Sequence, residues 1–179
     1  MSNRLYLRAF EYEDLKFLNM LRNDDSFFAL TTGNKYYISS ERDKKWIEDK
    51  IFNNYNQLYL MLCTIEGNQP IGYICATNID YINRKAQLGG IAITPEFAGA
   101  GYGTEGTQLL LRHLFGEMGL NKVYVFSLEE HAATLRIAEK TGFQKVGLVR
   151  DYVYKQNRFH NAYLLEILRA DYEQRINEE

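Results

Sequence analysis

The chain has 179 residues, 46% apolar and 25% charged, which fits one globular domain spanning residues 1–179 with a core of its own. Lys plus Arg number 21 against 23 Asp plus Glu, a net charge of −2, so the basic surplus that a nucleic-acid partner calls for is missing. No apolar run reaches the ~20 residues of a membrane span, and Met1-Ser2-Asn3-Arg4 shows no signal-peptide pattern, so a cytoplasmic protein with no membrane partner is expected.

Leu5, Leu7 and Ala9 alternate with other residues and predict a strand over 4–10. Glu11, Glu13 and Asp14 then precede Leu15, Leu18 and Leu21 at helical spacing, and acidic residues suit the positive end of a helix. Residues 23–39 lack a period and read as a loop or broken helix. Ser39 and Ser40 are candidate caps for a helix through Trp46, Ile47 and Ile51. A hairpin follows, with Gln57 to Glu66 rising to a Gly67-Asn68 turn and Pro70 to Asp80 returning. Its two cysteines, Cys63 and Cys75, are the only ones in the chain. They are too few for a disulfide scaffold or a zinc cage, so buried thiols and no metal are expected.

Lys85 to Ile93 predicts another strand, ended by Thr94-Pro95. The stretch Gly99-Ala100-Gly101-Tyr102-Gly103 opens a helix carrying Leu110, Leu111, Leu114, Phe115 and Met118, which Gly119 closes. Val123 to Phe126 is a short strand, residues 130–140 a helix ended by Gly142, and two strands near 144–155 and 160–169 complete the chain. The order β-α-α-β-β-β-α-β-α-β-β predicts a mixed α/β sheet with one β-α-β unit between residues 86 and 127. No repeat or linker divides it.

Three glycines at a strand-to-helix junction let the backbone turn tightly and a ligand approach its amides. The first N–H groups of a helix lack internal partners and lie at its positive end, so this junction suits a phosphate or pyrophosphate. A tight turn without a ligand is the alternative. A Walker loop needs Lys-Ser/Thr after its last glycine, and Thr104-Glu105 follows Gly103, so that motif fails. Gly101-x-Gly103-x-x-Gly106 matches the dinucleotide fingerprint in letters. In that fold, however, the glycines follow the strand directly within repeated β-α-β units, and here Thr94-Pro95-Glu96-Phe97 intervenes.

The run Ile91-Ala92-Ile93-Thr94-Pro95-Glu96-Phe97-Ala98-Gly99-Ala100-Gly101-Tyr102-Gly103-Thr104-Glu105 resembles motif A of the GCN5-related N-acetyltransferases. Leu135 to Phe143 is similar to their motif B, and the order of elements agrees over nearly the whole chain. Leu5-Tyr6-Leu7-Arg8, Leu21-Arg22-Asn23-Asp24 and Trp46 resemble the branch that holds ribosomal-protein and spermidine N-acetyltransferases. The resemblance implies a mixed sheet of about seven strands, splayed between two central strands, with about four helices. It implies acetyl-CoA as cofactor, with CoA as product, and a primary amine as acceptor: a protein N-terminal α-amine or a small amine such as a polyamine. The pyrophosphate would sit on the loop Ala98, Gly99, Ala100, Gly101, Tyr102, Gly103 and Thr104. The pantetheine arm would follow Ile91, Ala92 and Ile93, with a backbone N–H near Ile91 or Ala92 for the oxyanion. His131 and Arg136 in motif B are further cofactor contacts on this reading, His131 having a helix cap as its alternative role.

Three departures from the family pattern stand out, the third involving two positions. Ala98 stands where Gln or Arg often opens the loop, and His131 where Asn commonly starts motif B. The third departure concerns proton transfer. Ala138 replaces the Tyr that often serves as general acid, and Gln87 the carboxylate usable as base. At pH 7, presenting a neutral amine costs roughly 4.6 kcal/mol for a Lys-type amine and about 1.2 kcal/mol for an α-amine. A chain without a base therefore suits amines of low pKa. The same two positions leave open a catalytically weak acetyl-CoA-binding or sensing module. The catalytic residues stay unassigned, with Tyr152, Tyr154 and Ser127 as candidates and His160 on the adjoining turn. Phe27, Phe28, Tyr36, Tyr37 and Trp46 could line an aromatic acceptor pocket, and Asp24, Asp25, Glu41 and Glu48 could draw a cationic acceptor. A homodimer through a strand edge or the aromatic N-terminal half is compatible with the sequence, and no specific residue calls for it.

Overall fold

A computed structural model describes residues 4–25, 27, 31–53 and 55–178. Its strands are β1 (Leu5–Ala9), β2 (Leu58–Thr64), β3 (Pro70–Asp80), β4 (Lys85–Ile93), β5 (Lys122–Leu128), β6 (Gln144–Lys155) and β7 (Arg158–Leu168). They form one mixed sheet in the order β1-β2-β3-β4-β5-β7-β6. Every neighbouring pair is antiparallel except β4 and β5, the pair joined by the β-α-β unit.

The longer helices among the described residues are α1 (Leu15–Asn23), α2 (Ser40–Phe52), α3 (Tyr102–Arg112), α4 (Ala132–Lys140) and α5 (Arg169–Glu178). That is five rather than about four. The last one lies where sequence reasoning ran a strand to residue 169. Arg169-Ala-Asp-Tyr-Glu-Gln-Arg-Ile-Asn-Glu has too few apolar residues to show a helical stripe. It is held instead by Arg169 Nε donating to Leu120 O at 3.0 Å and by Tyr172 packing on Phe115 with ring centroids 4.9 Å apart.

Local chemistry explains several boundaries. Ser39 Oγ accepts the Arg42 N–H at 3.2 Å and so caps α2. Gly67 and Asn68 both have positive φ, 77° and 52°, inside the loop that the Thr64 N–H closes on Gln69 O at 2.9 Å. Gln156 and Asn157, the two residues between the paired Lys155 and Arg158 of β6 and β7, also have positive φ, 50° and 61°, as the tight turn of a two-residue hairpin requires. The acidic start of α1 is a short 3₁₀ turn in which Asp14 takes the Glu11 N–H at 2.9 Å and both amino groups of Arg8 at 2.7 Å.

The strand period of two sends alternate residues to opposite faces. Leu62 of β2 joins Ile71, Ile74, Leu110, Leu111, Leu114 and Phe115 on the α3 side. Its neighbours Met61 and Cys63 join Phe10, Leu18, Leu21 and Ile47 beneath α1 and α2. Both cysteines are buried and free. No helix among the described residues is long and apolar enough to cross a membrane.

Candidate active site

β4 and β5 are paired at Lys85–Lys122, Ala86–Val123 and Gln87–Tyr124, and no farther. Beyond that point β4 runs on to Ile93 beside β3 and β5 to Leu128 beside β7 without pairing to each other, which is the splay that the resemblance implied. A bulge marks the departure. Ala76 of β3 faces Leu88 and Cys75 faces Gly90, leaving Gly89 as an extra residue in β4. A Cβ on Gly89 would lie 2.8 Å from Thr77 Cγ2 and 2.9 Å from Cys75 Sγ, so the approach of β3 needs glycine there. The Gly89-Gly90 pair inside a strand was the sequence signal for this bulge, and the sequence reading passed over it.

The parted strands open a cavity of about 260 Å³. Gln87 to Ile91 of β4 and Val125 to Leu128 of β5 form its two edges. Tyr59, Tyr73 and Cys75 come from β2 and β3, Arg22 and Trp46 from α1 and α2, and His131 and Thr134 from the start of α4. Thr31, Thr32 and Gly33 close it from the loop after α1. The wall is strongly aromatic: Trp46 and Tyr59 meet edge to face at 5.5 Å, and Phe27 lies 6.3 Å from Tyr73.

Burial sets the protonation of this lining. The Tyr59 and Tyr73 hydroxyls are pushed above the ordinary tyrosine value, so both stay protonated and neither is a base near neutral pH. Burial pushes the Cys75 thiol up to about 12, which leaves it inert as a nucleophile. Burial, aided by the charge of Lys155, lowers His131, so its ring is neutral at pH 7. His131 occupies the N-cap position of α4 but makes no capping bond. Its ring meets Thr134 Oγ1 at 3.0 Å instead.

The glycine-rich turn enters α3 with Gly99 at φ 79° and Gly101 at φ 89°, conformations that side chains disfavour. The first intrahelical bond is Glu105 N–H to Gly101 O at 3.1 Å, so the N–H groups of Tyr102, Gly103 and Thr104 have no acceptor within the helix. Ala98, Gly99, Ala100 and Gly101 are exposed, and no atom lies within 4 Å of a Cβ built on Gly99. Gly103 packs against α4, where a Cβ would meet Ile137 Cδ1 at 2.7 Å.

The other expected residues divide. Ile91 and Ile93 are half-buried and Ala92 buried on the part of β4 that has no β5 partner. Arg136 is exposed on α4, and Ala138 is buried in the core beneath it. Gln87 lines the cavity and accepts from Asn78 Nδ2 at 2.9 Å. Ser127 lines the cavity, with its hydroxyl donating to Leu128 O at 3.3 Å. Tyr152 lies outside the lining, stacked on Phe126 at 4.7 Å, and Tyr154 is engaged at the β6–β7 turn, donating to Asn157 Oδ1 at 2.7 Å. His160 is buried between the Glu130 carboxylate and Lys155 O.

On the acceptor side, Phe27 and Trp46 do line the cavity, and Phe28 falls outside the described residues. Tyr36 and Tyr37 are 56% and 90% exposed and do not line it. Tyr59 and Tyr73 take that place. The alternation Tyr59-Met61-Cys63, with Met61 and Cys63 on the core face, was the signal that could have found the first of them. Asp24, Asp25, Glu41 and Glu48 do not line the cavity.

Comparison with known proteins agrees with this geometry. The acetyltransferase (GNAT) domain family matches residues 4–144. A spermidine N(1)-acetyltransferase of Vibrio cholerae is 25% identical over 174 residues, 96% of this chain and 97% of that protein. The [ribosomal protein bS18]-alanine N-acetyltransferase of Haemophilus influenzae is 35% identical over 114 residues, 62% of this chain and 72% of that protein. The crystal structure of the Vibrio cholerae spermidine N-acetyltransferase with CoA and spermine superposes with a TM-score of 0.88 at 24% identity, covering 95% of this chain and 98% of that one. With its splayed sheet, glycine-rich turn and family match, the chain belongs to the GNAT family of acetyl-CoA-dependent N-acetyltransferases.

Proposed function

We propose that this chain acetylates a small primary amine whose pKa lies below that of a Lys-type amine, an α-amine rather than a polyamine, with the residues around the β4–β5 splay holding donor and acceptor together. The observation that carries this reading is the cavity at the splay, whose described lining contains no Asp or Glu. Spermidine is a polycation near neutral pH, and an aromatic, carboxylate-free wall offers its second and third charges no partner. The names of the relatives, one acting on spermidine and one on an alanine of a ribosomal protein, leave both acceptor classes open.

The residues present fit acetyl-CoA. The exposed turn from Ala98 to Gly101 and the unpaired N–H groups of Tyr102 to Thr104 suit a pyrophosphate, and the absence of a side chain at Gly99 lets it approach. Backbone groups of Ile91 and Ile93, on the reach of β4 that pairs with β3 but not with β5, suit an extended pantetheine arm. When bound, acetyl-CoA supplies an acetyl thioester with a leaving thiol of ordinary pKa, about 8.5.

The chain's own contribution is mainly positional. The two edges of the splay hold the reacting groups in one orientation, and the aromatic wall excludes water. Gln87 orients through hydrogen bonds and carries no charge. Neutral His131 is the lining group able to take a proton at pH 7, and the protonated Tyr59 and Tyr73 hydroxyls can only donate. The single sheet from β1 to β7 supports reading residues 1–179 as one domain, and the two free thiols suit a reducing cytoplasm.

A second reading, a binding or sensing module with weak turnover, is favoured by Gln87 in the cavity and Ala138 in the core. Thiol release from acetyl-CoA, measured with α-amino amides, amino acids, spermidine and aminoglycosides, separates the two. Release with an α-amine supports the enzyme. Stabilisation by acetyl-CoA with no release from any amine supports the module.

A further inference from the structure

The strongest charge at the cavity wall is a cation. Arg22 lines the cavity, stacked at 3.8 Å over the Trp46 ring, and its Nη1 donates to Asp43. Asp43 is wholly buried behind it, where it also takes the Asn19 amide at 2.7 Å. The pair is neutral overall, yet its two ends differ in access: the carboxylate is sealed in the protein and the guanidinium meets the cavity. Among the described residues, Arg22 Nε and Nη2 have no hydrogen-bond acceptor. The other titratable base in the described lining, His131, is neutral at pH 7. Between Asp25 and Thr31 the sequence reads Ser-Phe-Phe-Ala-Leu and adds no acidic residue.

A guanidinium fixed from behind by a buried carboxylate and from below by an indole is already oriented, so binding an anion costs little further side-chain freedom. Its planar fork matches a carboxylate, and the aromatic surround strengthens that contact by excluding water. At about 260 Å³ the cavity lies just below the range for small-molecule sites, roughly 300–1,000 Å³. Arg22 and the Gly89-Gly90 bulge line the same small space, so one compact acceptor spans them.

We infer that the acceptor is a small amine that also bears a carboxylate, which Arg22 receives while Trp46, Tyr59 and Tyr73 cover the apolar body. The inference rests on the proposed transferase reading and narrows its acceptor class. Arg22 is here a specificity-determining residue. In transfer, the amine nitrogen forms the new bond to the acetyl carbon, the carbon–sulfur bond breaks with its electron pair going to sulfur, and the amine proton leaves for solvent. The carboxylate itself is unchanged.

The test uses the full chain and three acceptors on one skeleton: phenylalanine, phenylalaninamide and phenethylamine, with spermidine as the polycation. Specificity constants are corrected for each amine's neutral fraction. Phenylalanine should then exceed both carboxylate-free partners at least tenfold, mainly through KM. In the paired variant Arg22→Gln/Asp43→Asn, which leaves no unpaired buried charge, that ratio should fall to within about twofold of unity. Arg22→Lys, keeping charge without the fork, should lie between. Equal corrected constants for the three skeletons, or a ratio unchanged in the paired variant, would overturn the inference while leaving the transferase reading intact. Should no acceptor release thiol, calorimetric titration with CoA present decides. Binding of phenylalanine that is tighter than that of its amide, and is lost in the paired variant, supports the inference; no difference overturns it. Failure of the transferase reading shows separately, as no release and no stabilisation by acetyl-CoA.

Discussion

Glu105, in the first turn of α3, clasps Arg4 at the start of β1, 101 positions earlier. Its Oε1 accepts the Arg4 and Leu5 backbone N–H groups at 2.6 and 2.9 Å, and its Oε2 accepts Arg4 Nε at 2.9 Å. Arg4 then reaches the glycine-rich turn, donating Nη1 to Ala100 O at 3.0 Å and lying 4.3 Å above the Tyr102 ring. The edge strand is thereby fastened to the turn that we propose for the pyrophosphate. Glu105→Ala leaves two partly buried N–H groups unsatisfied and should cost about 1–3 kcal/mol. Arg4→Ala removes one half-exposed ion pair and should cost less than about 1 kcal/mol. Both should raise the KM for acetyl-CoA more than they lower kcat, as urea unfolding and initial rates will show.

The turn itself yields a contrast between glycines. Gly101→Ala forces a side chain into φ 89° with Arg4 Nη2 only 3.4 Å from the new carbon, and should cost about 1–2 kcal/mol along with acetyl-CoA affinity. Gly116 lies after α3 with nothing within 4 Å of a Cβ, so Gly116→Ala should be neutral or stabilising by up to ~1 kcal/mol. Equal melting temperatures for the two variants would contradict this account of the turn.

Asp43 is the largest single liability in the N-terminal half. It is 0% exposed and serves both Arg22 and Asn19. Asp43→Ala strands a guanidinium against an aromatic wall and should cost about 3–5 kcal/mol. Removing both charges in Arg22→Gln/Asp43→Asn should cost clearly less than the two single changes summed, a coupling that a double-mutant cycle measures directly.

Glu130 contributes to acid stability with a definite sign. The ring of His160 beside it holds its carboxyl below the ordinary value of 4.5. A lowered folded pKa means that the unfolded chain binds the proton more readily. The contribution is therefore complete above that ordinary value and is lost as pH falls through the lower folded one. Glu130→Gln should flatten the acid limb of melting temperature against pH below the ordinary value of 4.5.

Much of this architecture is readable from residue order alone. The alternation in β1, the Gly67-Asn68 turn and the Ser39 cap each announce themselves, because each is decided by neighbours within a few residues. Features decided by distant partners do not. Tyr36 and Tyr37 looked as suitable for an acceptor wall as Tyr59 and Tyr73, and only the packing of β2 and β3 under α2 separates them. Nothing local in the sequence sets Asp43 apart from the other charges of its polar helix, yet it is sealed by Arg22 and Asn19 from α1. Tyr154 and Tyr152 both lie on β6, and neither reaches the cavity, one held by Asn157 and the other by Phe126. The helix after Leu168 lacks an apolar stripe and is set by Arg169 and Tyr172 contacts that no local pattern reveals.

The most direct test of the central claim is the pH dependence of kcat/KM for thiol release from acetyl-CoA, measured with two acceptors whose amine pKa values differ by a unit or more. An enzyme that orients its reactants without a side-chain base predicts a rise of tenfold per pH unit that levels at each acceptor's own pKa, so the two curves are displaced by that difference. Curves that level at one shared pH for both acceptors would contradict the account and assign the limiting proton transfer to an enzyme group, with His131 the first to replace.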